Sequence, residues 1–249
     1  RLFAILLALG EEEVQQDATI QKNSLENAIK KENKMIITFA TQKGGVGKTT
    51  LAIAFANYLT LMKKKNVKVF DYDFQKSFYQ KWKEDSVLQV PELYEVEIVG
   101  DEKQNSPNLQ LQDIADMKQS DTYYIFDLAG TLDERYLDIL TYSDYIIIPF
   151  EYSDVSAQST MVFINLLGMI ESESNRVFVR SKYDKGYAYR NQSAMDEEVS
   201  RYGYLLPTPV YKRNDLQSIN TRRLSYEQRS AVKKTFEELI QYINDNSNI

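Results

Sequence analysis

One ten-residue segment constrains this chain more than any other: Thr41-Gln-Lys-Gly-Gly-Val-Gly-Lys-Thr-Thr50. It stands between an apolar, β-rich run at 35–40 (MIITFA) and a helix-like run that opens at residue 51 (LAIAFANYL). Glycines at 44, 45 and 47 let the backbone turn its N–H groups toward an anion with no Cβ in the way. The start of the following helix adds unsatisfied donors and a favourable dipole at the same spot. Val46 and Thr50 complete the cradle, with Lys48 placed to neutralise phosphate charge and the Thr49 hydroxyl to ligate Mg²⁺. A glycine-rich turn that binds nothing is the competing reading. It leaves the Gly-Lys-Thr order at a strand–helix junction unexplained.

From Met35 onward, strand-like and helix-like stretches alternate. Short apolar runs fall at 35–40, 67–71, 96–99, 123–128, 145–150, 176–180 and 205–210. Helical patterns lie near 48–63, 76–86, 109–118, 132–141, 155–171, 187–202, 212–221 and 226–245. Several strands are apolar at nearly every position, as in a parallel sheet covered on both faces. The rhythm predicts an α/β fold: a doubly wound, mostly parallel sheet with helices on both faces, of the P-loop NTPase kind. No repeat or long linker interrupts 35–249, which reads as one domain. Residues 1–34 differ, with an apolar run at 2–9, Gly10, the triplet Glu11-Glu-Glu13 and then polar, helix-compatible sequence. The acidic triplet and the lack of a small-residue cleavage pattern argue against a signal peptide. The expectation is an upstream extension or fused segment, with Met35 as the natural start.

Composition decides which chemistry is open. The 249 residues hold no histidine and no cysteine. That excludes Ser-His-Asp and Cys nucleophiles, thiolate zinc sites, iron–sulfur clusters and disulfides. Catalysis is left to carboxylates, lysine, arginine, hydroxyls, backbone amides and a hard cation. No apolar run nears the roughly 18 residues of a membrane span, so a soluble, intracellular protein is expected. The formal net charge of −6 conceals an asymmetry: residues 1–175 carry 17 basic and 27 acidic side chains, and residues 176–249 carry 13 and 9. A basic C-terminal third can present one face to a polyanion, while a scatter of solvated charges gives the same count. The 18 tyrosines are spread along the chain and read as amphipathic residues at the edge of the core.

The phosphate loop departs from a standard Walker A sequence, because Gln42 stands where its first glycine would be and Lys43 precedes the glycines. Lys43-Gly-Gly-Val-Gly-Lys-Thr49 instead resembles the deviant loop of the ParA/MinD ATPases, and the resemblance runs through most of 35–249. It implies ATP and Mg²⁺ as cofactors and a cytoplasmic protein. It also implies a nucleotide-dependent homodimer in which Lys43 reaches the partner's phosphates and, with Lys48, stabilises transition-state charge. Two further motifs follow in order. Val67-Lys-Val-Phe-Asp71-Tyr-Asp73-Phe-Gln75 looks like the family's D-x-D-P-Q switch, with Phe74 in place of proline. By that likeness Asp73 positions or activates the attacking water, and Asp71 helps to hold the Mg²⁺ shell. Thr122-Tyr-Tyr-Ile-Phe-Asp127-Leu-Ala-Gly130 looks like the Walker B strand. It implies Asp127 on Mg²⁺ and the Gly130 N–H on the γ-phosphate. The family's usual proline between those two residues is absent.

The same likeness frames the base with Ser181-Lys-Tyr-Asp184 and with the later Thr208-Pro209-Val-Tyr-Lys-Arg-Asn214. Asp184 also fits the [NT]-K-x-D signature for guanine, so ATP is favoured while GTP stays open. ParA relatives bind non-specific DNA through basic residues near the C-terminus, which here implicates Lys212, Arg213, Arg222 and Arg223. A stimulating protein partner of the ParB kind is a further implication. MinD relatives use a basic amphipathic C-terminal helix at membranes. The stripe Val232, Phe236, Leu239, Ile240 and Ile243 lies opposite a mixed-charge face, which argues for docking on the protein and against a membrane. Two functions follow as expectations. One is an ATPase switch that dimerises on ATP, binds DNA and is reset by hydrolysis, in partition, positioning or conjugative transfer. Its compactness and missing switch prolines resemble the TraA-type ParA homologues of conjugative transposons. The other is a nucleotide-binding scaffold, or a MinD-like positioning protein, that hydrolyses little and acts through a partner.

Overall fold

The computed structural model describes residues 35–100, 108–131 and 133–246; the extension read over 1–34 lies outside the described residues. Among the described residues seven strands form one sheet: β1 Ile36–Phe39, β2 Val67–Tyr72, β3 Glu95–Ile98, β4 Tyr123–Leu128, β5 Tyr145–Phe150, β6 Asn175–Arg180 and β7 Tyr204–Leu205. Between and after them run α1 Lys48–Lys63, α2 Ser77–Glu84, α3 Leu111–Met117, α4 Leu137–Tyr142, α5 Asp154–Met169, α6 Gln192–Ser200, α7 Asn214–Gln217 and α8 Tyr226–Asn246. The strand order is β3-β2-β4-β1-β5-β6-β7, and every pairing among the described residues is parallel.

Alternation along each strand divides the core into two layers. Ile37, Phe39, Val69, Ile125, Ile147 and Val177 face α1 and α8, where they meet Phe55, Leu59, Val232, Phe236 and Leu239. Ile36, Phe70, Phe126, Ile146, Ile148 and Phe178 face the other way, onto Leu140 of α4, Phe163 and Leu167 of α5 and Val199 of α6. Both faces are therefore covered, and this is why β5 (YIIIPF) can be buried at every position. The apolar stripe of α8 is spent on the protein interior. Phe236 packs edge-to-face on Phe55 and Tyr58, at 5.1 and 5.6 Å between ring centroids, and Glu237 pairs with Lys63 at 2.6 Å.

Several expected elements are shorter than their patterns: the helix read over 212–221 covers only Asn214–Gln217, and the one read over 132–141 is a 3₁₀ turn, Glu134–Tyr136, followed by Leu137–Tyr142. The strand read over 205–210 closes after Leu205, because Pro207 and Pro209 have no N–H to give to a ladder; Val210 resumes contact, its N–H donating to the Arg180 carbonyl at 2.8 Å and its carbonyl accepting from the Tyr183 N–H at 3.0 Å. The helix read from 187 begins at Gln192, since Asp184 ties the intervening residues into a turn with the N–H of Gly186.

Strand order also fixes the site. β4 sits between β1 and β2, in a register that sets Asp127 beside Phe39 on one side and Asp71 on the other. The carboxyl ends of these strands, where an open α/β sheet binds its ligands, are therefore where the glycine loop and both acidic motifs converge.

Candidate functional site

The glycine loop leaves β1 and turns into α1 through Gly45 at φ 80° and Gly47 at φ 87°, a left-handed backbone that side chains other than glycine rarely tolerate. Gly47 caps α1 without any side-chain hydrogen bond, and no acidic residue stands in the first turn. The N–H groups there are left for an external acceptor, in the field of a sixteen-residue helix. Gly130 presses on the loop from β4: a Cβ placed on it would meet the Gly44 nitrogen at 3.0 Å. The phosphate loop and the segment after β4 thus touch backbone to backbone.

Lys48 turns inward and donates to Asp127 Oδ1 at 3.2 Å, with side-chain exposures of 8% and 0%. The other oxygen, Asp127 Oδ2, is buried without a hydrogen-bond partner among the described residues. Burial raises the Asp127 carboxyl above its ordinary range, although the Lys48 charge and the Thr49 hydroxyl pull it back. An unpartnered carboxylate oxygen next to a threonine hydroxyl is a donor set suited to a hard divalent cation, so the residues fit Mg²⁺. Asp71 is equally buried, but its two oxygens accept from the Asp73 N–H at 3.0 Å and the Tyr79 N–H at 2.9 Å. It holds the switch loop to α2 first, and any part in a metal shell would use its remaining lone pairs. Burial, and then the Asp127 charge, push Asp71 up to about 7.

Asp73 is half-buried, with one oxygen accepting from the Gln75 N–H at 2.9 Å. Lys43 rests its ammonium on Ser153 Oγ at 3.0 Å, at the start of α5. Val46 is buried and Thr50 half-buried. A cleft of about 380 Å³ opens beside the loop, lined by Gly47, Thr50 and Leu51 on one side and by Ser181, Tyr211 and Leu216 on the other. Ser181 Oγ donates to the Val46 carbonyl at 2.7 Å and Lys182 Nζ to that of Gly45, so the β6 end grips the glycine loop directly.

Three of the expected site residues stand apart from the cleft or the surface. Asp184 is exposed and does not line the cleft; it caps its own turn through Gly186. Pro209 is buried, and its carbonyl accepts from Thr235 at 3.3 Å on the α8 side, while its neighbours Val210 and Tyr211 line the cleft. Arg222 is only 3% exposed. Its guanidinium donates to the Trp82 carbonyl and Glu92 and lies 5.3 Å from the centre of the Trp82 ring, so it is unavailable to a surface polyanion. Lys212, Arg213 and Arg223 are exposed, and the first two also rim the cleft. Sequence reasoning passed over Ser181, Lys182, Glu151, Tyr211 and Leu216. Ser181, Lys182 and Tyr211 lay inside quoted motifs, but the contacts of all five are made only by the fold.

Residues 37–244 match the family described as the CobQ/CobB/MinD/ParA nucleotide binding domain. Among solved structures, a protein from Borrelia burgdorferi B31 assigned to plasmid partition and bound to AMPPNP superposes at TM-score 0.64 and 18% identity, over 84% of this chain and 99% of that one. The Aquifex aeolicus MinC:MinD cell division complex gives 0.60 at 16%, over 83% and 96%. pNOB8 ParA bound to nonspecific DNA gives 0.60 at 14%, over 86% and 99%. Against the curated proteins the sequence finds no significant match.

Proposed function

The chain belongs to the CobQ/CobB/MinD/ParA nucleotide-binding family, and from that premise we propose that it is a ParA-like ATPase that dimerises around ATP and binds DNA in that state. The observation that carries this reading is the Lys48–Asp127 pair, with its orphaned carboxylate oxygen under an uncapped glycine-loop helix. Thr49 and Asp127 would hold Mg²⁺, which when bound supplies charge neutralisation at the phosphate oxygens. Lys48 and the loop N–H groups orient the phosphates, and Asp73 stands on the loop that positions water. ATP is taken as the nucleotide on the family membership, and competition between ATP and GTP for binding tests that choice.

Lys43 is the residue this function needs outside its own site, since a half-exposed lysine held by one serine is released at little cost. Light scattering tests the proposal: the mass should double with ATP·Mg²⁺, and Lys43→Ala should stay monomeric while still binding nucleotide. A protein that remains monomeric at saturating ATP overturns the dimer and the role of Lys43 together. The scaffold reading draws support from Asp73, one of whose oxygens is occupied by the Gln75 N–H. It predicts ATP binding and dimerisation with no measurable turnover.

A further inference from the structure

Neither loop that flanks the phosphate site contains a proline, over 71–76 or over 127–136, so no ring fixes φ in either one. A side chain does the fixing. Arg135, in the 3₁₀ turn Glu134–Tyr136, donates from Nε and Nη2 to the two oxygens of Asp133, each at 2.9 Å. Its Nη1 donates to the Gly100 carbonyl at 3.1 Å, beyond β3. The guanidinium plane then lies 3.9 Å from the centre of the Phe74 ring, with Tyr72 and Tyr136 at 5.9 and 5.8 Å. Tyr136 closes the same junction by donating its hydroxyl to the Tyr72 carbonyl at 2.8 Å.

Phe74 itself is 62% exposed. A large apolar ring held in solvent at the tip of a functional loop gains little from burial, so its contact with Arg135 is what orders it. Cation–π contact at such a site is strong enough to bias a loop and weak enough to release it. The acid that the chemistry needs, Asp73, is the residue next to this ring. Gly130, which touches the phosphate loop, lies five residues before Arg135.

We infer that Arg135 is a positioning residue whose stacking on Phe74 ties the loop bearing Asp73 to the loop that follows Asp127, so that both reach the nucleotide in one arrangement. The inference builds on the ATPase reading for its consequence in turnover, but the tether itself exists without nucleotide.

Amide exchange on the nucleotide-free protein tests the tether across the gap. Phe74→Ala should speed exchange over 133–136 by about fivefold, a size set by one exposed cation–π contact, and Arg135→Ala should do the same over 73–76. Phe74→Trp, which keeps a ring under the guanidinium, should restore the parental rate, and the midpoint of thermal unfolding should hold steady throughout. Exchange that changes only in the loop carrying the substitution, or not at all, overturns the tether. Steady-state kinetics then test its purpose: Arg135→Ala and Phe74→Ala should each lower kcat several-fold, with ATP affinity within about twofold, and the double variant should fall no further than the weaker of the two. Additive effects, or an effect confined to KM, overturn the positioning role. Absence of turnover in the parent protein refutes the ATPase reading alone, because the exchange experiment still decides the tether.

Discussion

At Asp127 a buried carboxylate is paired with the Lys48 ammonium, and this pairing governs what substitution there does. Removing one partner of a buried pair leaves an uncompensated charge, at a cost of about 3 kcal/mol. Lys48→Ala should therefore lower the unfolding free energy by about that amount, and adding Asp127→Asn should recover most of it while nucleotide binding stays abolished in both. Urea denaturation beside calorimetric titration with ATP checks this; a double variant as unstable as the single would disconnect the pair from stability. Asp71 gives a pH signature of definite sign. Its folded value of about 7 lies above the ordinary carboxylate value of about 3.9, so the native state binds more protons between the two. Stability contributed by this group falls as pH rises through that window and levels off above it. Asp71→Asn carries no such charge and should gain on the parent in metal-free buffer from about pH 4 to about pH 7; a difference that is flat in pH contradicts the burial cost.

Among the elements, the contact between the phosphate loop and the segment after β4 is made of backbone alone. A methyl at Gly130 meets the Gly44 nitrogen at 3.0 Å, and neither side has a rotamer to move. Gly130→Ala should weaken ATP binding by about tenfold, equivalent to about 1.4 kcal/mol, with little change in the unfolding midpoint. Gly168 near the end of α5 is the control: a methyl there meets none of the described residues within 4 Å, so Gly168→Ala should stabilise by up to about 1 kcal/mol and leave binding alone. Unchanged affinity in Gly130→Ala would show that the loops separate at no cost. Element positions were readable to within a residue or two where periodicity was strong, as at β4 and β5. They failed where a local feature overruled the pattern: prolines ended β7, and the Asp184 turn delayed α6.

For the molecule as a whole, the question is which positive charges of the C-terminal third reach the surface. Lys212, Arg213 and Arg223 do, and Arg222 does not. Beside Arg222, Thr221 donates to Asp85 through both its N–H and its hydroxyl, and Asn57 holds the carbonyls of Asn220 and Arg223. The loop 220–223 thus joins α1, the turn after α2 and the entry to α8 through buried Thr221 and Arg222, while the Arg223 side chain stays exposed. Reversing Lys212, Arg213 and Arg223 together should weaken non-specific DNA binding and reduce the salt slope by about one for each phosphate no longer neutralised. Arg222→Ala should instead lower the unfolding midpoint. Fluorescence anisotropy across a salt series, with a melting curve for each variant, separates the two; a variant of the three exposed residues with unchanged slope removes this face from the DNA interface.

Sequence by itself determined the order of strands and helices, the glycine loop and the register of its Lys48 and Thr49, because these follow from short-range periodicity and from backbone geometry that only certain residues allow. It also marked Asp71 and Asp127 as strand-end carboxylates, and excluded histidine and cysteine chemistry outright. Tertiary structure decided everything that depends on residues far apart in the chain. Strand order placed Asp71 beside Asp127, packing drew Arg222 inside and turned Asp184 away, and the β6 end brought Ser181 and Lys182 onto the glycine loop. Arg135 found Phe74 across roughly sixty residues of chain for the same reason. A charge or a ring has the same local pattern whether it faces water or a neighbour, and only the folded sheet determines which of the two it meets.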